Sequence, residues 1–96
     1  MGREDVLQRL RAVRGKLADF RVKSLAIFGS VARDEARPDS DVDVLVEFNG
    51  PATFDQYMDL KHFLEATLDG RVDLLTRNGL RRELVPYIEQ ELLRVA

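Results

Sequence analysis

Residues 28–48, FGSVARDEARPDSDVDVLVEF, decide the fold and the chemistry that this sequence predicts. The run that leads into them, residues 22–28 (VKSLAIF), is apolar and ends at Gly29-Ser30, which is typical of a buried strand that stops at a turn. Residues 41–48 (DVDVLVEF) are β-branched and alternating, and an Asn-Gly-Pro turn follows them. The stretch therefore predicts two strands joined by a tight turn and a short connection.

Helical and strand patterns alternate along the rest of the chain. Between the two strands, residues 31–36 predict a short helix that Ser30 caps and that Pro38 closes. The helical spacing of apolar residues predicts three longer helices, over residues 3–20, 53–69 and 80–90. Residues 71–76 predict a third strand, and residues 92–95 form either an edge strand or a frayed helix end.

Several of these elements carry end signals. Thr53 and Gln56 match a capping box at the start of the middle long helix, and Gly70 is placed for the C′ position at its end. Pro86 either starts the last helix or kinks it. The order of elements predicts a single α/β or α+β domain over residues 1–96, with a small sheet of three to four strands covered by helices.

The composition of the 96-residue chain excludes several classes of protein. It has no cysteine and one histidine, His62, which excludes disulfides, thiolate chemistry, cysteine-ligated zinc and a histidine-rich metal site. We expect His62 to be structural or exposed. The 15 basic and 17 acidic side chains give a net charge of −2, which argues against nucleic acid as the main partner. No apolar run approaches the ~18 residues of a membrane span, so we expect a cytoplasmic domain without a membrane partner.

Three aspartates stand where folding alone does not favour them. Asp41 and Asp43 lie two apart in the most strand-like segment, so their side chains point to the same face. At ~7 Å and an effective dielectric of ~20, two such anions repel by roughly 2 kcal/mol. Asp73 lies between Val72 and Leu74 in the third predicted strand. If the two strands are neighbours, the three carboxylates converge at one face of the sheet.

A cluster of carboxylates at one place suits a hard cation. Oxygen ligands favour Mg²⁺, particularly when substrate phosphates and water complete its shell. Two such ions about 3.5–4 Å apart clamp the attacking and leaving oxygens of an in-line phosphoryl displacement. The alternative is that Asp41 is a solvated strand end, that Asp43 lies on an exposed face and that Asp73 is unrelated to them.

The turn before the aspartates favours the first interpretation. Gly29-Ser30 follows an apolar strand and opens a helix, so free backbone N–H groups point outward there. Glycine lets a phosphate approach the main chain closely, and the serine hydroxyl adds a donor. Most Gly-Ser turns only cap a helix, which remains the alternative. Followed by an Asp-x-Asp strand, this turn predicts a phosphate-binding loop beside a dication site.

The stretch resembles the signature of the DNA polymerase β type nucleotidyltransferases, in which Gly-Ser is followed after ten residues by Asp-x-Asp. It is similar in particular to the minimal nucleotidyltransferases, whose pattern adds an Ala-Arg pair, a Glu, a Ser before the first Asp and a later Val-Asp-Leu. The matching residues are Gly29-Ser30, Ala32-Arg33, Glu35, Ser40-Asp41-Val42-Asp43 and Val72-Asp73-Leu74.

The resemblance implies a bare catalytic palm, a small mixed sheet with helices, that binds a nucleoside triphosphate such as ATP with two Mg²⁺ ions. By this analogy Asp41 and Asp43 hold both metals, and Asp73 joins the catalytic metal and helps to activate the acceptor hydroxyl. Gly29 and Ser30 bind the β and γ phosphates. Members of this kind commonly pair with a HEPN-family ribonuclease toxin, and some silence it by transferring AMP to a tyrosine.

Other side chains admit two interpretations. Asp34 stands where such proteins often carry Gly, which adds a negative charge near the phosphate site or simply favours the helix N-terminus. The arginines near the motif either contact a triphosphate or are solvated. For Arg33, a local pair with Glu35 or Asp39 is an equal alternative. These arginines are Arg33, Arg37, Arg71 and Arg77.

The apolar residues of the helices also form two sets. A set of helical aromatic and methionine residues is expected in the core: Phe54, Tyr57, Met58 and Phe63. The last apolar set either covers the sheet or forms a partner surface; it comprises Leu80, Leu84, Val85, Ile88 and Leu92.

Three functions follow from these observations. The leading one is an enzyme that transfers AMP from ATP, with Mg²⁺, to a hydroxyl of a partner protein, as the antitoxin of a toxin–antitoxin pair. The second is a binding module that inhibits its partner by steric capping and has a vestigial or regulatory nucleotide site. The third, transfer to a small molecule, ranks lowest because it normally needs an additional substrate domain.

Overall fold

A four-stranded sheet forms the centre of the computed structural model, which describes residues 1–96. The strands are β1 (Val22–Phe28), β2 (Val42–Phe48), β3 (Val72–Thr76) and β4 (Leu93–Arg94), in the order β3-β2-β1-β4. β2 runs parallel to β3, and β1 runs antiparallel to both β2 and β4. The predicted α+β fold with a small mixed sheet is confirmed, and the tail forms an edge strand.

Four α-helices surround the sheet: α1 (Arg3–Ala12), α2 (Gly29–Ala32), α3 (Phe54–Leu68) and α4 (Val85–Glu91). The single helix predicted over residues 3–20 is wrong in its second half, where Arg14–Phe20 form a 3-10 helix. Gly15 lies in that segment, and glycine in a helix interior costs about 1 kcal/mol relative to alanine. Pro86 lies in the first turn of α4, so it starts the helix and does not kink it. None of the helices is long and apolar enough to cross a membrane.

The capping box of α3 is confirmed at its N-terminus. The N–H of Gln56 donates to the Thr53 hydroxyl oxygen at 3.1 Å, and the N–H of Thr53 donates to Gln56 Oε1 at 2.9 Å. The prediction for its C-terminus is wrong by one residue, because Asp69 and not Gly70 adopts the left-handed conformation, with φ 52°. The Gly70 N–H then donates back to the Glu65 carbonyl at 3.2 Å and closes the helix.

α2 is shorter than predicted, and Ser30 does not cap it. The helix spans four residues, Ser30 lies within it, and Phe28 is the capping residue. It ends well before Pro38 because Asp34 turns the chain with φ 60°. The Glu35 N–H donates to the Ser30 carbonyl at 2.8 Å, which is the hydrogen bond of a Schellman motif. Asp34 therefore takes a left-handed position that glycine usually occupies.

The two faces of the sheet are covered unequally. α1 and α3 bury one face, in a cluster that includes Val6, Leu10, Leu60, Leu64 and Val44. The other face carries a small cluster of Phe28, Leu45 and Ile88, against which Leu75, Leu80 and Leu92 pack. Much of the C-terminal apolar set therefore covers the sheet, which was one of its two interpretations. Part of this second face stays open beside the cluster.

The aromatic residues of α3 divide between core and surface. Tyr57 and Phe63 pack against the main cluster, and the ring of Phe63 lies 4.7 Å from that of Phe20. The expectation that Phe54 is a core residue is wrong, since 75% of it is exposed. It occupies the first position of α3, directly after the capping residue, whereas the buried residues of the helix begin at Leu60.

Candidate active site

Asp43 and Asp73 lie side by side on the open face of the sheet. They are direct partners in the parallel pairing of β2 with β3. Asp43 is also the partner of Phe28 on β1, the residue before the Gly29 turn. The alternation of β2 buries Val42 and Val44 on the opposite face and leaves Asp43 half-buried on this one. The structure therefore brings together the end of β1 and one aspartate from each of the next two strands.

Gly29 lies directly against the Asp43 carboxylate. Its φ is +74°, a conformation that side chains rarely adopt, and a Cβ atom there would come within 2.1 Å of Asp43 Oδ2. The Cγ of Asp43 would be 3.0 Å away, so rotation of the carboxylate alone gives little room. The turn and the aspartate thus form one packed unit in which only glycine fits.

The environment of Asp43 disfavours its charge. Burial is the main cause that raises the pKa of the Asp43 carboxyl to about 6, and the negative charges of Asp73 and then Asp41 add to it. The nearby Arg33 guanidinium acts in the opposite direction without cancelling the effect. A bound cation relieves both the repulsion and the burial cost, so the site electrostatically favours positive charge.

Asp41 stands apart from the other two aspartates. It precedes β2 by one residue, it is exposed, and its Oδ1 lies 3.1 Å from Nε of Arg71. No three carboxylate or imidazole groups lie close enough together to form a ready metal-binding cluster. The donor chemistry of Asp43 and Asp73 fits a hard cation such as Mg²⁺, because both supply carboxylate oxygens and neither forms an ion pair. Asp41 is paired with Arg71 and does not belong to this pair of carboxylates.

A carboxylate from the far end of the chain reaches the Gly29 turn. The N–H of Gly29 donates to Glu91 Oε2 at 2.9 Å, and Arg33 Nη1 donates to the same oxygen at 2.8 Å. Arg33 Nε also lies 3.2 Å from Glu35, so the local pair that was one interpretation of Arg33 is present. The hydrogen bond to Glu35, and after it the charge of Glu91, raise the pKa of Arg33. The Ser30 hydroxyl makes no hydrogen bond within the chain.

Sequence reasoning missed Glu91 and Tyr57 as neighbours of this site. Glu91 is 62 positions from Gly29, and no local pattern distinguishes it from other acidic residues of a charged helix. The Tyr57 hydroxyl donates to the Leu74 carbonyl, next to Asp73. Burial and then the charge of Asp73 raise the pKa of Tyr57. Its helical spacing indicated only a core residue, and the structure packs it, partly buried, against the main cluster.

The remaining candidates lie away from the Asp43–Asp73 pair. Arg77 pairs with Glu89 at 3.2 Å, Arg37 forms no ion pair, and His62 is exposed. The largest surface cleft is lined by residues such as Lys23 and Asn78, at the opposite ends of β2 and β3 from the two aspartates. The chemistry-bearing groups and the largest cleft are thus separate features of the molecule.

Known proteins are similar to this chain in both sequence and fold. A family model described as a nucleotidyltransferase domain matches residues 8–95. A Methanocaldococcus jannaschii protein provisionally named a protein adenylyltransferase is 40% identical over 79 residues, which cover 79% of each chain. Protein adenylyltransferase MntA of Thermococcus cleftensis is 37% identical over 76 residues, 79% of this chain and 77% of the relative.

Solved structures extend the comparison. One chain, provisionally described as a minimal nucleotidyltransferase, has a TM-score of 0.85 and 38% identity, over 97% of this chain and 95% of that one. A complex of a tri-AMPylated Shewanella oneidensis HEPN toxin with an MNT antitoxin shares the fold at a TM-score of 0.69 and 17% identity, over 95% of this chain and 71% of that one. On the family match, the identities and the shared fold, the chain belongs to the nucleotidyltransferase domain family of enzymes and is similar within it to the minimal nucleotidyltransferases.

Proposed function

We propose that this enzyme transfers AMP from ATP to a hydroxyl group of a partner protein. The observation that carries the proposal is the placement of Asp43 against Gly29 and beside Asp73. It sets the Gly29 turn, to which we assign phosphate binding, next to a pair of carboxylates whose mutual repulsion a cation would relieve. The relative from Thermococcus cleftensis, named a protein adenylyltransferase, supports AMP as the transferred group.

Each residue has a role in this proposal. The Gly29 N–H and the free Ser30 hydroxyl donate hydrogen bonds to the terminal phosphates of ATP. Asp43 and Asp73, joined by Asp41, would hold two Mg²⁺ ions. When bound, these ions neutralise phosphate charge and polarise the oxygens of the in-line displacement. Asp73 stands at the open edge strand, where an acceptor hydroxyl can approach and where a carboxylate can take up its proton.

The reaction exchanges a phosphoanhydride bond of ATP for a phosphate ester bond to the acceptor. A bond forms between the acceptor oxygen and the α-phosphorus, and the bond from that phosphorus to the bridging oxygen breaks. Pyrophosphate leaves with the bonding electrons, and the hydroxyl proton passes to the carboxylates. No oxidant or further reactant is needed.

We infer that the acceptor belongs to a HEPN-family toxin and that the pair forms a toxin–antitoxin system. The Shewanella complex, in which a chain of the same fold binds an AMPylated HEPN toxin, supports this partner. The lack of cysteine and the need for ATP favour the cytoplasm as the place of action.

A specific observation also supports the second candidate, a binding module that caps its partner without catalysis. Arg71 pairs with Asp41, and Glu91 accepts the hydrogen bond of the Gly29 N–H. Two groups of the candidate site are thus bonded to other residues of the chain and not open to a ligand. In this case the three aspartates contribute nothing to neutralisation of the toxin.

One experiment tests the proposal and separates the candidates. The protein is incubated with ATP labelled at the α-phosphate, Mg²⁺ and a HEPN-family protein encoded beside its gene. We expect label on the partner, and a loss of at least about 100-fold in Asp43→Asn and Asp73→Asn. Asp59→Asn, an exposed position on α3, is the matched control. Label transfer that survives both substitutions contradicts the mechanism. Neutralisation of the toxin by the double variant without any transfer supports the capping module.

A further inference from the structure

Glu91 occupies a donor that the proposed function assigns to ATP. Its Oε2 accepts a hydrogen bond from the Gly29 N–H at 2.9 Å and another from Arg33 Nη1 at 2.8 Å. One backbone amide and one guanidinium thus converge on a single carboxylate oxygen. The same pair of donors also suits an anionic oxygen of a phosphate.

A carboxylate and a phosphate cannot share this position. The Gly29 amide has one hydrogen, and Glu91 already accepts it over a normal hydrogen-bond distance. A triphosphate at the turn would also place its negative charge next to that of Glu91. We propose that Glu91 is an internal competitor of the nucleotide, which closes the phosphate-binding turn in the free enzyme and must leave for ATP to bind. This inference rests on the proposed function.

The surroundings of Glu91 allow it to leave. It is the last residue of α4, a seven-residue helix, and the backbone becomes extended at Leu92. Its side chain is 25% exposed, so it can swing to solvent without entering the core. Ile88 is the one buried residue of α4, whereas Tyr87 is 69% exposed. Glu91 thus makes the contact with Gly29 and Arg33 from the end of a helix that buries only one of its residues.

The competition has a measurable consequence. Any free energy that Glu91 contributes to the closed turn is subtracted from the binding of ATP, because the enzyme must first populate the open state. Charge-assisted hydrogen bonds are about twice as strong as neutral ones. Removal of the contact is therefore expected to tighten ATP binding by about tenfold, and to weaken the fold of the free enzyme at the same time.

The test measures the dissociation constant of Mg·ATP by calorimetry, with the full chain. Glu91→Gln keeps the size of the side chain and removes its charge, and we expect it to bind ATP about tenfold more tightly than the wild type. Glu91→Asp keeps the charge and shortens the reach, so tighter binding by this variant assigns the effect to the contact. Glu89→Gln, on the same helix and paired with Arg77, makes the same change in net charge without touching the turn, and is expected to leave affinity unchanged.

Thermal unfolding without nucleotide provides the second measurement. Glu91→Gln should unfold at a lower temperature than the wild type, while it binds ATP more tightly. A merely structural role of Glu91 would lower both the unfolding temperature and the affinity. Unchanged or weaker ATP binding by both Glu91 variants overturns the inference and leaves the proposed function intact. A failure of the wild type and of every variant to bind ATP overturns the proposed function, and the inference with it.

Discussion

Asp43→Asn is expected to stabilise the metal-free protein, although it removes a residue that we assign to the reaction. The pKa of the Asp43 carboxyl is raised from 3.8 to about 6, so the folded state holds this proton more tightly than the unfolded chain does. The stability penalty of the ionised group grows as the pH rises from about 4 to about 6, and it is complete above that range. Asparagine has no charge and can donate a hydrogen bond to Asp73.

The size of the effect follows from the same shift. A pKa raised from 3.8 to about 6 corresponds to about 3 kcal/mol for a group fully shielded from water. Asp43 is half-buried, and solvent screening reduces the figure to about 1 kcal/mol. In a domain of this length, 1 kcal/mol shifts the unfolding temperature by about 4–8 °C.

Urea denaturation followed by circular dichroism, with EDTA present, measures the free energy of unfolding at pH 7.5 and pH 4.5. We expect Asp43→Asn to exceed the wild type by about 1 kcal/mol at pH 7.5 and by clearly less at pH 4.5. The exposed Asp59→Asn should show no such dependence on pH. If Asp43→Asn loses stability at pH 7.5, or gains the same amount at both values, the repulsion that we assign to this site is absent.

Substitutions at three further positions test the fold. Gly29→Ala should lower the free energy of unfolding by about 1–2 kcal/mol, because φ +74° strains alanine and its Cβ collides with the Asp43 carboxylate; wild-type stability in urea denaturation would show that the turn can rearrange. Asp34→Val should cost about 1–2 kcal/mol, since a β-branched residue resists φ 60°, whereas Asp34→Gly should be at least as stable as the wild type in the same assay. Thr53→Ala should cost about 1 kcal/mol of unfolding free energy by removing the capping box of α3, and an unchanged urea midpoint would contradict the role of that cap.

Local patterns predicted the elements of the fold well where the signal lies within a few residues. The strands around Ile27, Val44 and Leu74 follow from apolar and alternating runs, and the start of α3 follows from Thr53 and Gln56. The failures lie in the second half of the first predicted helix and at helix ends. Asp34 and Asp69 adopt left-handed conformations, which the sequence does not reveal because aspartate is only an occasional substitute for glycine there.

Within the site, sequence reasoning succeeded for the contact that strand pairing sets and failed for the contacts between surface side chains. The resemblance indicated Asp43 and Asp73, and the parallel pairing of their strands brings them together. It gave no sign that Asp41 would pair with Arg71 or that Glu91 would reach Gly29. These contacts depend on where surface side chains meet after the sheet has formed, and no hydrophobic period encodes them.

The register of β1 with β2 explains how the Gly-Ser turn and the Asp-x-Asp strand come together. Phe28 pairs with Asp43, so the residue after Phe28 necessarily lies beside that carboxylate. The register is fixed in turn by Val42, Val44 and Val46, which are at most 6% exposed on the opposite face. A slip of one residue would bury Asp43 and expose all three valines. The core that α1 and α3 complete thus places the carboxylate against Gly29.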